Sequence, residues 1–283
     1  AGRELAIVGG PVSDALLDRP VHDLDFTTDA HPDEILKIVT PISTAQWDVG
    51  REFGTIGARI RGEQVEVTTY RADSYDGTTR KPVVAFGDSL EGDLVRRDFT
   101  VNAMAMRVPE RTLIDPTGGV EDLVAGRLRT PIDPRVSFGD DPLRMLRAAR
   151  FASQLEFEVD PATTEAITAL RETLSIVSPE RVQGEVVRLL ATDDPVRGIR
   201  LLVDTGLMGE FLPEVPALRL EVDEHHHHKD VYEHSLTVVN QAIALEKTRR
   251  PDAVPDVALR LAALLHDICK PATRRLEPGG GVT

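Results

Sequence analysis

The 283 residues hold one cysteine, Cys269, which excludes an internal disulfide and fits a reducing, cytoplasmic setting. Long apolar runs are lacking too: none reaches the roughly 20 residues that a bilayer-spanning helix needs, so no membrane contact is expected. No charged leader with an apolar core opens the chain. It starts directly in a strand pattern, which points to further residues upstream. Basic charge is scarce, with 33 Lys and Arg against 47 Asp and Glu and a net charge of −14. That excludes wholesale polyanion binding, so any nucleic-acid contact must be local. Residues 96–150 are the exception, with ten arginines against eight carboxylates. Aromatics are few, at 4%, but the apolar fraction is ordinary and the length suits two or three domains.

What is present is organised around Leu5–Asp29. A short apolar run, Leu5–Val8, reads as a buried strand that stops at Gly9-Gly10. An apolar-periodic segment follows (Val12, Ala15, Leu16), then the breaker Arg19-Pro20, then a strand carrying Asp23-Leu24-Asp25. Alternation puts the two carboxylates on one side, about 7 Å apart. Two hard oxygen ligands on one strand suit Mg²⁺, with substrate phosphates completing its shell. The glycines let backbone N–H groups approach an anion. Taken singly, Gly-Gly is an ordinary turn and Asp-x-Asp an ordinary strand edge. Their order and spacing together point to phosphoryl or nucleotidyl transfer.

Residues 30–47 look helical, and Gly50–Gly57 is a glycine-punctuated turn into strand Ala58–Arg61. The alternating stretch Gln64–Tyr70 opposes it as a hairpin. There Glu66 faces away from Val65 and Val67. It is either a third carboxylate on the face of the Asp pair or an exposed strand glutamate. Arg71–Phe86 reads as a mobile polar loop. Val95–Met104 resembles the start of a buried helix whose polar side holds Arg97, Asp98 and Asn102; by spacing alone these form an ion-pair network. Leu113–Gly119 is a strand ending in a turn, and a short helix begins at Val120.

In Ser137–Phe151, Asp141 suits the N-cap and Pro142 the first helical turn. Asp141, Arg144, Arg147 and Arg150 recur every three residues and form a slowly winding stripe. Capping with solvated arginines, and a wall of hydrogen-bond forks for a base edge and phosphates, fit this spacing equally. Pro161–Leu174, Pro179–Leu190 and Pro195–Gly206 read as a small all-α region. A histidine run, His225–His228, reads as surface. His234 and the adjacent His266-Asp267 supply three ligands of mixed type, suited to Mn, Fe, Zn or Ni.

In this order and spacing, G-G-x-V-x-D, L-D-x-D, R-R-D-F-T-x-N-A-M-A, D-P-x-x-G and D-D-P-L-R-M-L-R-A-A-R-F resemble the class II tRNA nucleotidyltransferases. That family comprises CCA-adding enzymes and bacterial poly(A) polymerases. Y-E-H-S-L and L-L-H-D-I-x-K-P resemble the HD domain fused to some of them. The resemblance implies an α+β fold. A nucleotidyltransferase head with a mixed sheet spans residues 1–125, an all-α neck and RNA-binding domain spans 126–220, and an incomplete HD domain spans 221–283.

It further implies that Asp23 and Asp25 hold two catalytic Mg²⁺ ions, with Glu66 as the candidate third carboxylate. Gly9, Gly10 and the position of Ser13 line the triphosphate. Arg97 contacts the nucleotide, with Asp98 near the ribose and Asn102 beside them. Asp141 and Arg144 read the base edge of CTP or ATP, and Arg147 and Arg150 continue the stripe. The implied partner is the tRNA 3′ end. His234, His266 and Asp267 would hold a second, transition metal.

Two departures stand out. Ser13 replaces the family's arginine, a loss of about 1.5–3 kcal/mol in triphosphate binding for one charged hydrogen bond, and Pro11 removes a backbone donor. Cys269 replaces the glycine usual in the HD motif, so the HD site is expected to be incomplete. The turn Gly50–Thr55 looks like the CCA-adding form. Poly(A) polymerase is the nearest alternative, followed by an HD phosphohydrolase with a degenerate head and by a non-catalytic tRNA-binding module.

Overall fold

A computed structural model describes residues 2–21, 24–48, 50–74, 83–87, 89–220, 222–223 and 229–273. The chain forms two compact units, Ala1–Asp140 and Asp141–Thr283. Among the described residues no helix is long and apolar enough to cross a membrane. The overall class is α+β.

The first unit contains β1 (Leu5–Val8), α1 (Gly10–Leu16), β2 (Leu24–Thr28), α2 (Pro32–Val39), β3 (Ala45–Trp47), β4 (Thr55–Ile60) and β5 (Glu63–Thr69). It continues through β6 (Arg71–Ser74), β7 (Val83–Phe86), α3 (Leu90–Val95), β8 (Ala105–Arg107), β9 (Leu113–Ile114), α4 (Gly119–Ala125), β10 (Arg127–Leu128) and α5 (Pro134–Asp140). Seven strands make one sheet in the order β3-β4-β5-β2-β1-β8-β9. Only β2 and β5 run parallel, and the long connection between them holds α2.

Alternation divides each strand between two faces. Ile56 and Ala58, Val65 and Val67, and Leu24 and Phe26 pack with Ile35 and Val39 of α2 on one face. On the other face Ala6, Val8 and Ala105 pack with Leu90 and Leu94 of α3. Leu94 is fully buried, so its truncation to Ala costs about 2–5 kcal/mol. α2 starts where its sequence says it should, with Pro32 in the first turn and Asp33 and Glu34 facing the helix dipole.

Three expectations change. Ala45–Trp47 is an edge strand, because the helix ends at Val39 and Pro41 follows in a 3₁₀ turn. Arg71–Ser74 pairs with Val83–Phe86 as the two arms of an antiparallel ladder, so both ends of the stretch read as a loop are strand. The residues between them lie outside the described set. The Arg96-Arg97-Asp98 motif does not open a helix. α3 ends at Val95, and a 3₁₀ turn forms only at Thr100–Asn102, since β-branched Thr100 and Val101 disfavour helix and the Asp98 carboxylate bonds the Phe99 amide locally.

The second unit is built on α6 (Leu143–Leu155), followed by β11 (Glu158–Val159), α7 (Pro161–Leu170), α8 (Pro179–Leu190), α9 (Pro195–Asp204) and α10 (Glu214–Ala217). A short ladder of β12 (Val222–Asp223) with β13 (Lys229–Asp230) leads to α11 (Val231–Arg249), α12 (Val257–Leu265) and α13 (Lys270–Thr273). α8 and α9 both pack on α6. Gly198 allows the close crossing of α9, where its amide donates to Ser153 Oγ at 2.8 Å. The α11–α12 pair is stapled to the end of α8 by Arg260, which is 2% exposed. It bonds Glu246 at 2.9 Å and the carbonyls of Leu190 and Thr192 at 2.8 and 2.6 Å. Pro161, Pro179 and Pro195 open α7, α8 and α9 as the sequence suggests, but α7 ends at Leu170 rather than Leu174 and passes into a 3₁₀ stretch, Arg171–Ile176.

Candidate functional site

The carboxylate face is set by register. In the parallel β2–β5 ladder Asp25 lies opposite Glu66, so their side chains share one face, about 4.8 Å apart at the backbone. Leu24 and Phe26 turn to the α2 side. Glu66 is therefore on the Asp25 face. Asp23 lies outside the described residues. The donor set on this face is oxygen only, which suits a hard divalent cation such as Mg²⁺.

The antiparallel pairing Ile7↔Phe26 carries the end of β1, and so Gly9, alongside Asp25. Gly9 has φ +72° and ψ −141°, a conformation that favours glycine. A side chain there would also crowd the Arg97 guanidinium, whose Nη1 would be 3.3 Å from an added Cβ. Gly10 starts α1 with open space at its Cβ position. Ser13 is buried, and its hydroxyl donates to the Gly10 carbonyl at 3.0 Å. The Ser13 hydroxyl is thus used inside α1.

Arg97 is held by a residue that the motif reading passed over. Asp93 of α3 is 4% exposed and accepts from Arg97 Nη2 at 3.1 Å, with Arg96 Nε at 3.6 Å. The same carboxylate accepts from the Arg71 amide at 3.2 Å and from Thr27 Oγ1 at 3.4 Å. Thr27 is two residues beyond Asp25 on the same face, so Asp93 links the arginine to the carboxylate strand. Arg97 Nε is buried with no hydrogen-bond partner, a cost that an anionic oxygen would remove. The missed signal was local: Asp93, Arg96 and Arg97 follow i, i+3 and i+4 spacing at a helix end.

Asp98 and Asn102 are both buried. Asp98 Oδ1 accepts from the Phe99 amide at 2.8 Å and from Asn102 Nδ2 at 3.1 Å, which closes the 3₁₀ turn. The D-P-x-x-G stretch supports this turn from below. Asp115 accepts from the Gly119 and Val120 amides at 2.7 and 2.9 Å, and a Cβ on Gly119 would overlap the Thr100 carbonyl. Asp122 is fully buried beneath them and accepts from Thr100 Oγ1 at 2.7 Å, Arg127 Nε at 2.6 Å and Arg129 Nε at 3.0 Å. Burial pushes its pKa up, but these hydrogen bonds outweigh it and hold the carboxyl below the usual aspartate value.

In the second unit α6 starts one residue later than the sequence suggests, with Pro142 at the N-cap position, while Asp141 Oδ1 accepts from the Leu143 amide at 3.1 Å and its carboxylate pairs with Arg181 at 3.0 Å. Arg144, Arg147 and Arg150 follow along the helix. Glu185 of α8, 2% exposed, accepts from Arg150 Nε at 2.7 Å and Arg188 Nη1 at 2.8 Å, with Arg147 at 3.7 Å. Arg150 also bonds Gln154 at 2.9 Å and stacks 4.0 Å from the Phe151 ring centre. Glu185 is 35 residues away from Arg150 and carried no local signal.

His234, His266 and Asp267 each offer a ligand atom within 4.8 Å of the others. Asp267 Oδ2 lies 3.1 Å from His266 Nε2, 3.9 Å from His234 Nε2 and 2.9 Å from Lys270 Nζ. Imidazole and carboxylate donors fit a transition metal, although the Lys270 ammonium already neutralises that oxygen. Cys269 is exposed. His225–His228 lie outside the described residues.

Comparison with known proteins adds to this geometry. Residues 5–129 match the family described as Poly A polymerase head domain. Residues 156–218 match the one described as Probable RNA and SrmB-binding site of polymerase A. The CCA-adding enzyme of Levilactobacillus brevis is 39% identical over 224 residues, which cover 79% of this chain and 55% of that protein. The crystal structure of the Bacillus stearothermophilus CCA-adding enzyme in complex with CTP is 30% identical with a TM-score of 0.66, and covers 96% of this chain and 74% of that one. A tRNA nucleotidyltransferase complexed with a primer tRNA and an incoming ATP analogue is 27% identical with a TM-score of 0.71, and covers 94% and 73%. The chain spans about half the length of the curated relatives it matches.

Proposed function

The chain belongs to the class II tRNA nucleotidyltransferase family, and on that premise we propose that it adds C, C and A to tRNA 3′ ends from CTP and ATP, releasing pyrophosphate. The observation that carries this reading is the register that sets Asp25 beside Glu66, with Gly9 and Arg97 at the adjoining edge. Asp23, Asp25 and Glu66 would hold Mg²⁺, which when bound polarises the α-phosphate and makes the attacking ribose hydroxyl more acidic.

The chain's own groups do the rest. The Gly9 backbone leaves room for a phosphate that Arg97 Nε and Nη1 bind. Asp93 keeps that guanidinium in place, so little reorganisation is needed when the pyrophosphate leaves. Asp98 and Asn102 form the buried turn behind Arg97 and are assigned to the ribose side. In the second unit Asp141 offers an acceptor and Arg144 a donor fork on the first turn of α6. We assign them to the Watson–Crick edge of the nucleotide, where a mismatched base would leave buried groups unpaired. Arg147 and Arg150 extend that stripe and also brace it against Glu185. A buried, hydrogen-bonded Ser13 gives no phosphate clamp, so weaker triphosphate binding than with an arginine is expected.

Residues 221–283 are assigned to an HD domain, with His234, His266 and Asp267 as its metal ligands. The single cysteine fits a cytoplasmic protein. The test supplies tRNA lacking its terminal CCA, with Mg²⁺ and CTP alone, ATP alone or both. The expected products are C additions from CTP alone and a completed CCA from both. Runs of A without C would replace this reading with poly(A) polymerase, and no incorporation at all would reject both.

A further inference from the structure

The carboxylate face does not end at Glu66. Glu66 pairs with Gly57 of β4, and Gly57 pairs with Trp47 of β3, so Asp25, Glu66, Gly57 and Trp47 form one row across four strands on one face. Gly57 is the gap in that row, and the indole fills it. A Cβ on Gly57 would overlap Trp47 at Nε1 and Cε2. The indole therefore lies over Gly57, one strand spacing from Glu66, while Trp47 stays half-buried. The next row on the same face carries Arg59 of β4, which is exposed, opposite Gln64.

The direction of the reaction gives this surface a role. Gly9 and Arg97 adjoin Asp25 on its β1 side, where the proposed triphosphate and its leaving pyrophosphate would lie. In-line displacement brings the attacking oxygen from the opposite side. In the strand order that side is β5, β4 and β3, which present Glu66, the indole and Arg59.

Resting on the functional reading above, we propose that Trp47, seated over Gly57, is the stacking platform for the 3′-terminal base of the RNA primer, with Arg59 contacting its backbone phosphate. An aromatic face suits any base, because every base has a π-face, and a guanidinium beside it adds a sequence-independent phosphate contact. A Trp-over-Gly pair also strengthens a sheet edge. The two roles part in what RNA does to the ring.

Trp47 is the chain's sole tryptophan, so its emission reports this surface alone. The full chain is titrated with tRNA lacking its CCA end, without nucleotide, and transfer kinetics are measured separately. The expected results are a saturable change in emission with RNA and a KM for tRNA about tenfold higher in Trp47→Ala. The KM for CTP should stay within about twofold, and Trp47→Phe should recover most of the loss. Arg59→Ala, on an exposed position, should reduce the salt dependence of tRNA binding by roughly one single-strand phosphate contact, a slope change of about 0.7. Emission unmoved by saturating tRNA, or a Trp47→Ala defect shared equally by tRNA and CTP, would overturn the subsite. If RNA moves the emission but wild-type protein transfers no nucleotide, the functional reading fails while RNA contact at Trp47 stands.

Discussion

Asp93 in the first unit and Glu185 in the second are built alike. Each is a nearly fully buried carboxylate on a helix, each gathers arginines, and each sits beside residues assigned to the nucleotide. They differ in what they leave over. Arg97 gives Asp93 one nitrogen, keeps Nε unsatisfied and lies against a glycine. Arg150 gives Nε to Glu185 and Nη1 to Gln154, and presses its face on Phe151, so its side chain is 11% exposed. Each carboxylate takes one nitrogen, so the difference lies in the rest of the arginine: an unsatisfied buried Nε beside a glycine aims Arg97, whereas Gln154 and the Phe151 ring brace Arg150 along its helix. An arginine stripe in sequence therefore mixes two kinds of residue, and only the partner separates them.

The sharpest way to break this contrast is Glu185→Ala. It strands Arg150 in a largely buried site and is expected to cost about 3–5 kcal/mol of stability, read from the urea midpoint. A shift under 1 kcal/mol would deny the structural role. Next in size is Arg97→Ala. Its expected loss is about 2 kcal/mol of nucleotide binding, a KM for CTP about thirtyfold higher, with the KM for tRNA little changed.

Asp93→Asn should raise the KM for CTP by about tenfold, and by nothing further when Arg97 is already Ala, because it acts through that side chain. Equal effects in both backgrounds would make Asp93 merely structural. The smallest effect concerns Asp122. Its folded pKa is lowered, so the linked stability is fully present above about pH 4 and is lost as pH falls through the lower folded value. Acid unfolding should therefore be shallower in Asp122→Asn, by about one proton, than in wild type.

Much of this was readable from the chain, for definite reasons. Strand alternation has an exact period of two, so Glu66 could be placed opposite Val65 and Val67 before any pairing was known. A proline preceded by a capping Asp160, Ser178 or Asp194 marks the starts of α7, α8 and α9, and those three starts agree with the sequence. Arg97, Asp98 and Asn102 would share the polar side of a helix starting at Val95; the structure instead joins Asp98 to Asn102 across a 3₁₀ turn. Glu185, Trp47 over Gly57 and the β6–β7 ladder depend on partners 9 to 35 residues apart, which no local pattern encodes. The buried Arg260 staple, reaching 70 residues back to Leu190, belongs with them.

The central claim is that the Asp25–Glu66 face carries out metal-dependent nucleotidyl transfer. The most direct measurement is single-turnover incorporation from CTP into tRNA lacking CCA, comparing wild type, Asp25→Ala and Glu66→Ala across a Mg²⁺ titration. The account predicts that Asp25→Ala abolishes measurable transfer at every Mg²⁺ concentration while CTP still binds, and that Glu66→Ala is strongly impaired. An Asp25→Ala protein that transfers within tenfold of wild type would contradict it.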